Sequence, residues 1–188
     1  DEEFVRGFGL AEGGVEEFRA QVRATVERVV ADTAQQRVRE QLLEALYTHN
    51  PLELPRVLID EQVRDLQVQM LRRMGIQKVE QLPPREPYEA PARKRVALGL
   101  IIGEIVRTNA IRVDRGRVEQ RLNAVVASYP DPDSVRRQYL QSREAMAQLE
   151  SAVLEDQALD WVQSRVQLVD KPASFADLTG FGRPKDQS

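Results

Sequence analysis

The stretch VEEFRAQVRATVERVVADTAQQRVREQLLEALYTHNP, residues 15–51, decides the fold class. Val15, Phe18, Val22, Val26 and Val29 recur at spacings of three and four, and Ala34, Val38, Leu42, Ala45 and Leu46 carry the pattern on. That period is one face of an α-helix. No Pro or Gly interrupts residues 15–49, and Asn50-Pro51 ends the helix, because the residue before a proline is pushed out of the α region. About 35 residues at 1.5 Å each make a helix of about 50 Å. A compact chain of 188 residues is a ball about 40 Å across, so this helix is expected to project. Residues 31–41 are poor in large apolar side chains, and a long half-polar helix needs a partner alongside.

Working outward, Pro55 suits the first position of a second helix. Ile59, Val63, Leu66, Met70 and Met74 form its stripe, and Gly75 stops it. The short connection Asn50-Pro51-Leu52-Glu53-Leu54 predicts an antiparallel hairpin, a helical arm over about residues 12–75. Pro83, Pro84, Pro87 and Pro91 make residues 75–91 a stiff connector. Residues 92–108 then read as a helix apolar on nearly all sides, hence buried within a body and second arm over about residues 88–170. Gly99 and Gly103, four apart on one face, suggest close approach of another backbone, because each costs about 1 kcal/mol against Ala in a helix. Asp114, Asp131, Ser142 and Ser174 are candidate N-caps of four further helices, and Pro132 suits the first position after Asp131. The helix after Ser142 carries two apolar faces, Met146, Leu149 and Val153 on one, Leu154, Ala158, Trp161 and Val162 on the other. Val166-Gln167-Leu168-Val169 alternates as a short extended segment would, residues 1–11 are a short apolar lead-in, and the polar residues 180–188 read as a disordered tail. The expected fold is all-α.

Composition removes much chemistry. There is no Cys, so no disulfide, thiolate nucleophile or Cys-based zinc site, and His49 is the single His. Most Ser/His designs and His-rich metal sites are thereby excluded. The net charge is −3, where a free-standing nucleic-acid binder is usually basic. The longest apolar run, residues 96–106, is too short to span a membrane. The chain opens on Asp-Glu-Glu-Phe, with neither Met nor a basic-then-apolar leader, and so reads as part of a longer protein. Glu16-Glu17, Asp60-Glu61 and Glu155-Asp156 are adjacent pairs on helices with Arg nearby, which describes solvated faces. Arg93-Lys94-Arg95 and Arg112, Arg115, Arg117 and Arg121 are read likewise. Glu104 is the one carboxylate in the apolar helix, with Arg107 as its expected ion-pair partner. Gly7-Phe8-Gly9 and Gly180-Phe181-Gly182 lack the elements of a phosphate loop. Catalytic residues, metal ligands and cofactors are therefore expected to be none.

The remaining apolar residues are candidate binding residues. Val57, Val68 and Leu71 fall opposite the Ile59/Met70 stripe, and Val125, Tyr129, Val135 and Tyr139 form a loose set around Pro130. They either pack against other helices or line an exposed, discontinuous apolar surface suited to extended, unfolded peptide.

Glu3-Phe4-Val5, the segment Asn50-Pro51-Leu52-Glu53-Leu54-Pro55-Arg56-Val57-Leu58-Ile59-Asp60, and above all Arg95-Val96-Ala97-Leu98-Gly99-Leu100-Ile101-Ile102-Gly103-Glu104-Ile105-Val106-Arg107-Thr108-Asn109 resemble the C-terminal domain of bacterial trigger factor. Ala127-Ser128-Tyr129 before Asp131-Pro132 fits too, and the resemblance runs over about residues 3–178. It implies a chaperone domain over residues 1–179, helical, with two arms forming an apolar-lined cradle. That cradle holds unfolded or nascent polypeptides without ATP, and Val125, Tyr129, Val135 and Tyr139 match its inner surface. The family's ribosome-binding domain and its peptidyl-prolyl isomerase (rotamase) domain are absent from this sequence, so the chain itself is expected to be no enzyme. The implied partners are unfolded chains, the ribosome only through the absent N-terminal domain, and a second copy in a homodimer. Direct nucleic-acid or membrane binding is not expected, and the implied compartment is the cytoplasm. Two alternatives stand beside this reading: a helical adaptor that dimerises or docks one folded partner, and a periplasmic chaperone of the SurA type.

Overall fold

The computed structural model describes residues 14–76 and 82–180. Among these, all regular structure is helical: α1 (Gly14–His49), α2 (Arg56–Arg73), α3 (Glu86–Thr108), α4 (Arg115–Val126), α5 (Pro132–Gln141), α6 (Arg143–Gln163) and α7 (Phe175–Thr179). The all-α expectation holds, and α1 runs unbroken over the predicted stretch. The extended segment expected at residues 166–169 forms no strand. The apolar lead-in at residues 1–11 and residues 181–188 of the expected tail lie outside the described residues.

The described residues fall into two units, 14–41 with 168–180, and 42–76 with 82–167. In the first, none of residues 15–41 of α1 is buried, and Val22, Val26 and Val29 stand 41–45% exposed. Helix α7 is capped by Ser174, whose hydroxyl accepts from the Asp177 N–H at 3.1 Å, and closes on Gly180 at φ 72°, a conformation open to glycine. The Arg37 guanidinium donates to the carbonyls of Asp177 and Leu178. It meets backbone oxygens left without helical partners at the negative end of α7.

In the second unit α2 and α3 run antiparallel. Gln67 near the end of α2 meets Pro83 just ahead of α3, while Ile59 and Val63 pack with Ala92, joined by Leu54, Leu66 and Tyr88. The short connection predicts α2 paired with the preceding helix, whereas α3 is the neighbour it packs against in its unit. The reason lies in its buried stripe: Ile59, Val63, Gln67 and Leu71, at a strict spacing of four. Met70 and Met74, placed on the stripe by hydropathy, are exposed. Gln67, polar and outside the hydropathy stripe, is 5% exposed, and its amide donates to the Pro83 carbonyl at 2.5 Å. A buried amide is tolerated when it is so satisfied.

Helix α3 also begins earlier than expected. Pro87 sits in its first turn, where a missing N–H costs nothing. Pro91 lies inside the helix without stopping it.

The other core packs α4, α5 and α6 around Val118, Leu122, Val126, Leu149 and Val153. All four predicted caps form. Asp114 accepts from the N–H groups of Gly116 and Arg117 at 2.8 and 3.2 Å, Asp131 from Ser134 at 3.0 Å, and Ser142 from Ala145 at 3.2 Å. Across the α4–α6 seam Arg117 pairs with Asp160 at 2.5 Å and Arg121 with Asp156 at 2.7 Å. Gln157 joins the same seam, accepting from the Asp114 N–H and donating to the Arg112 carbonyl. Leu122 is 3% exposed at the centre of this core. Leu122→Ala should therefore destabilise the unit by about 2–5 kcal/mol, read as a lower urea midpoint at unchanged slope.

Candidate functional site

Helix α3 is apolar on nearly every side, but its neighbours cover only part of it. Ala92, Val96, Ala97 and Ile101 are buried. Leu98 and Ile102 are half-buried and Leu100 is exposed. The all-round apolar pattern predicts an interior helix, whereas α3 keeps one side uncovered. The uncovered side opens into a groove of about 670 Å³. Its floor is α3, through Leu98, Gly99, Ile102, Gly103 and Val106. Leu43 at the end of α1 and Leu154 on α6 form its walls. Arg95 and Glu155 stand on its rims, and Ser151 completes the lining.

The two glycines explain the depth of the groove. A methyl group built at Gly99 or Gly103 would meet nothing within 4 Å. The expected close approach of another backbone is therefore not made within the chain. The missing side chains leave open space above the helix backbone instead.

Two charged contacts accompany α3, one to α1 and one within its own last turn. Lys94 donates to Glu44 at 2.5 Å, with its ammonium 5.9 Å from the centre of the Tyr47 ring. This bond and the lysine's charge hold the Glu44 carboxyl below the ordinary range. Glu104 accepts from Arg107 at 2.6 and 2.9 Å and from the Thr108 hydroxyl at 2.9 Å. The expected partner is right, but the pair is exposed, not buried. The Arg107 bonds, then the Thr108 bond, bring the Glu104 carboxyl down from 4.5 to about 2. His49 has a local role: its Nδ1–H donates to the Ala45 carbonyl at 2.9 Å, near the end of α1. Among the described residues no group of three or more His, Asp or Glu is placed to hold a metal ion.

The candidate binding residues separate. Val57 is 68% exposed and Val68 half-buried, but Leu71 is only 7% exposed, so it belongs to the packed side of α2 and lines no open surface. Tyr129 is 47% exposed. Val125 is half-buried, and Val135 and Tyr139 pack against the α4–α6 core. The loose set around Pro130 is thus partly structural. The groove residues Leu98, Ile102, Val106 and Leu154 were not singled out. The signal that could have found them was the glycine pair, read as space to be filled from outside and not from within.

The described residues thus form an all-helical protein with an open apolar groove over α3. Residues 14–164 match the model of the bacterial trigger factor protein C-terminus. The chain is 43% identical over 178 residues to a trigger factor of Thioalkalivibrio sulfidiphilus, covering 95% of this chain and 41% of that protein. It is 39% identical over 191 residues to a trigger factor of Alkalilimnicola ehrlichii and 35% over 189 residues to one of Idiomarina loihiensis. These alignments take in all of this chain and 42% and 43% of those proteins. The chain belongs to the trigger factor C-terminal family, which has a chaperone role in protein folding. It spans about two fifths of the length of these relatives. The matched region is the C-terminal one, separate from the family's peptidyl-prolyl isomerase domain. Among the described residues no helix is long and apolar enough to cross a membrane.

Because the folded-state value of Glu104 is depressed, its contribution is complete above 4.5 and is lost as the pH falls from there through about 2. In a carbon-detected NMR titration the Glu104 carboxyl should show a midpoint near 2, returning toward 4.5 in Arg107→Met.

Proposed function

We propose that this chain is an ATP-independent holdase domain that binds unfolded or nascent polypeptides through the α3 groove. The observation that carries this reading is the groove itself: apolar side chains left open on a helix braced on its other sides. Exposed apolar surface gains roughly 25 cal/mol per Å² when covered, and an open lining of Leu, Ile and Val beside glycine demands no single shape of its guest. On this reading the groove serves as part of the apolar-lined cradle that the family resemblance implies. Exposed Val57 and Tyr129, with half-buried Val68 and Val125, add further weak contacts to it. Several weak sites on one client gain strength together.

In the longer protein that the relatives point to, ribosome docking and prolyl isomerisation would belong to other regions, and the working compartment would be the bacterial cytoplasm. The domain organisation proposed for this chain is one chaperone domain over residues 1–179. A homodimer is a further proposed state.

The test is suppression of aggregation of a chemically denatured, proline-free client. Ile102→Ser lines the groove with a hydroxyl and removes apolar surface without touching the two cores. It should lower the protection at equal protein concentration at least severalfold, while the urea midpoint stays near that of the parent chain. Equal protection by the folded variant contradicts the groove. Binding of one folded partner, with no protection of unrelated unfolded chains, would point to the adaptor reading.

A further inference from the structure

The second unit is built on two separate cores. Ile59, Val63 and Ala92 hold α2 on α3, and a core centred on Leu122 and Val153 holds α4, α5 and α6 together. Among the described residues, the helices that pack across from one group to the other are α3 and α6. The groove lies along that contact, with Gly99 and Gly103 of α3 on one side and Ser151 and Leu154 of α6 on the other. Between the two groups the chain crosses once, at the corner from α3 to α4, residues 109–114. On the α3 side of this corner the Ala110 N–H donates to the Arg107 carbonyl at 3.3 Å and the Ile111 N–H to the Val106 carbonyl at 3.0 Å. These two bonds close a helix through a left-handed residue, a place commonly held by glycine. Here that residue is Ala110, at φ 49°, the only non-glycine residue with positive φ among those described. On the other side the Gln157 side chain accepts from the Asp114 N–H and donates to the Arg112 carbonyl, and Val113 packs on the α4–α6 core. The grip on the chain therefore passes from α3 to α6 between residues 111 and 112.

We infer that Ala110 is the hinge of the groove: the α2–α3 pair and the α4–α6 bundle move as two bodies about residues 110–111, and the left-handed state of Ala110 sets the groove width of this structure. The Cβ of an alanine is strained in that conformation, as a glycine is not. Ala110 is exposed, and a backbone bond that water can replace contributes little net free energy. The strain thus offsets much of what the two closing bonds contribute, and a corner with Ala110 at negative φ lies close in free energy. Both bodies keep their own cores in either state, because no core residue bridges them. A guest that touches α3 and α6 together binds one width more tightly and shifts the corner towards it. That coupling rests on the holdase reading of the groove, whereas the hinge stands without it.

The test measures distances between paired spin labels by pulsed electron paramagnetic resonance in the whole chain, which has no Cys of its own to interfere. Arg64→Cys on α2 with Glu150→Cys on α6 reports across the groove. Glu119→Cys on α4 with Glu150→Cys is the control within one body, and all three positions are exposed. The first pair should give two distances and the control pair one. Ala110→Gly should raise the population at the distance given by the structure about fivefold relative to the other. Ala110→Asn should raise it too, since Asn tolerates the left-handed region, and the β-branched Ala110→Val should lower it. The Gly and Asn variants carry the test if the Val variant does not fold. One distance across the groove, the same in the parent, Gly and Asn chains, overturns the hinge. So does a control pair that follows the substitutions, because the α4–α6 bundle would then be deforming itself. Saturating unfolded, proline-free polypeptide should collect the two distances of the parent into one, and Ile102→Ser should remove that effect. If the substitutions shift the populations and the polypeptide does not, the hinge stands and its coupling to the holdase reading falls.

Discussion

Helix α3 is richer in apolar side chains than its neighbours can cover, and this mismatch governs the rest of the second unit. Ala92, Val96, Ala97 and Ile101 are buried. Leu98, Ile102 and Val106 lie along the opposite, partly open side, with Gly99 and Gly103 between them. A helix left this way loses part of its hydrophobic stabilisation to water, at roughly 25 cal/mol for each uncovered Å². The same surface becomes a driving force for association as soon as a guest covers it. Stability surrendered within the fold is thus available for binding.

Such a surface serves only if it does not collapse. The bracing on either side is specific. Along α2, the satisfied Gln67 amide and the Ile59/Val63/Ala92 contacts fix one neighbour of α3. On the other side, α6 presents Leu154 and Ser151 to the groove from a helix held by its own core through Leu149 and Val153. The seam of Arg117, Arg121 and Gln157 with Asp160, Asp156 and the Asp114 backbone sets the register of α6 against α4. These pairs are half-exposed and individually weak, and they act more on register than on total stability. The glycines then keep the floor low where a larger residue would fill it.

Much of this order was legible in the sequence. The helical period of α1, the caps Asp114, Asp131, Ser142 and Ser174, and the Glu104–Arg107 partnership follow from local rules that tertiary context did not override. What failed was assignment of faces. Hydropathy put Met70 and Met74 on the buried stripe of α2 and left out Gln67, because a scale cannot know that the Pro83 carbonyl waits for an amide. It also left Leu71 on the open face, although a spacing of four from Ile59 through Val63 and Gln67 carries it inward. The all-round apolar character of α3 was read as burial, since an unfilled flank cannot be distinguished from a filled one without its neighbours. Tyr139 and Val135 illustrate the reverse case, apolar residues around a turn that serve the core more than the surface.

The most direct test of the account is a methyl-NMR titration of the chain with an unfolded, proline-free polypeptide, following Leu98, Ile102, Val106 and Leu154 against Leu122 and Val153 as core references. The four groove methyls should shift or broaden together and saturate at one client concentration, while the core methyls stay in place. Saturating binding that leaves the groove methyls unmoved would contradict it.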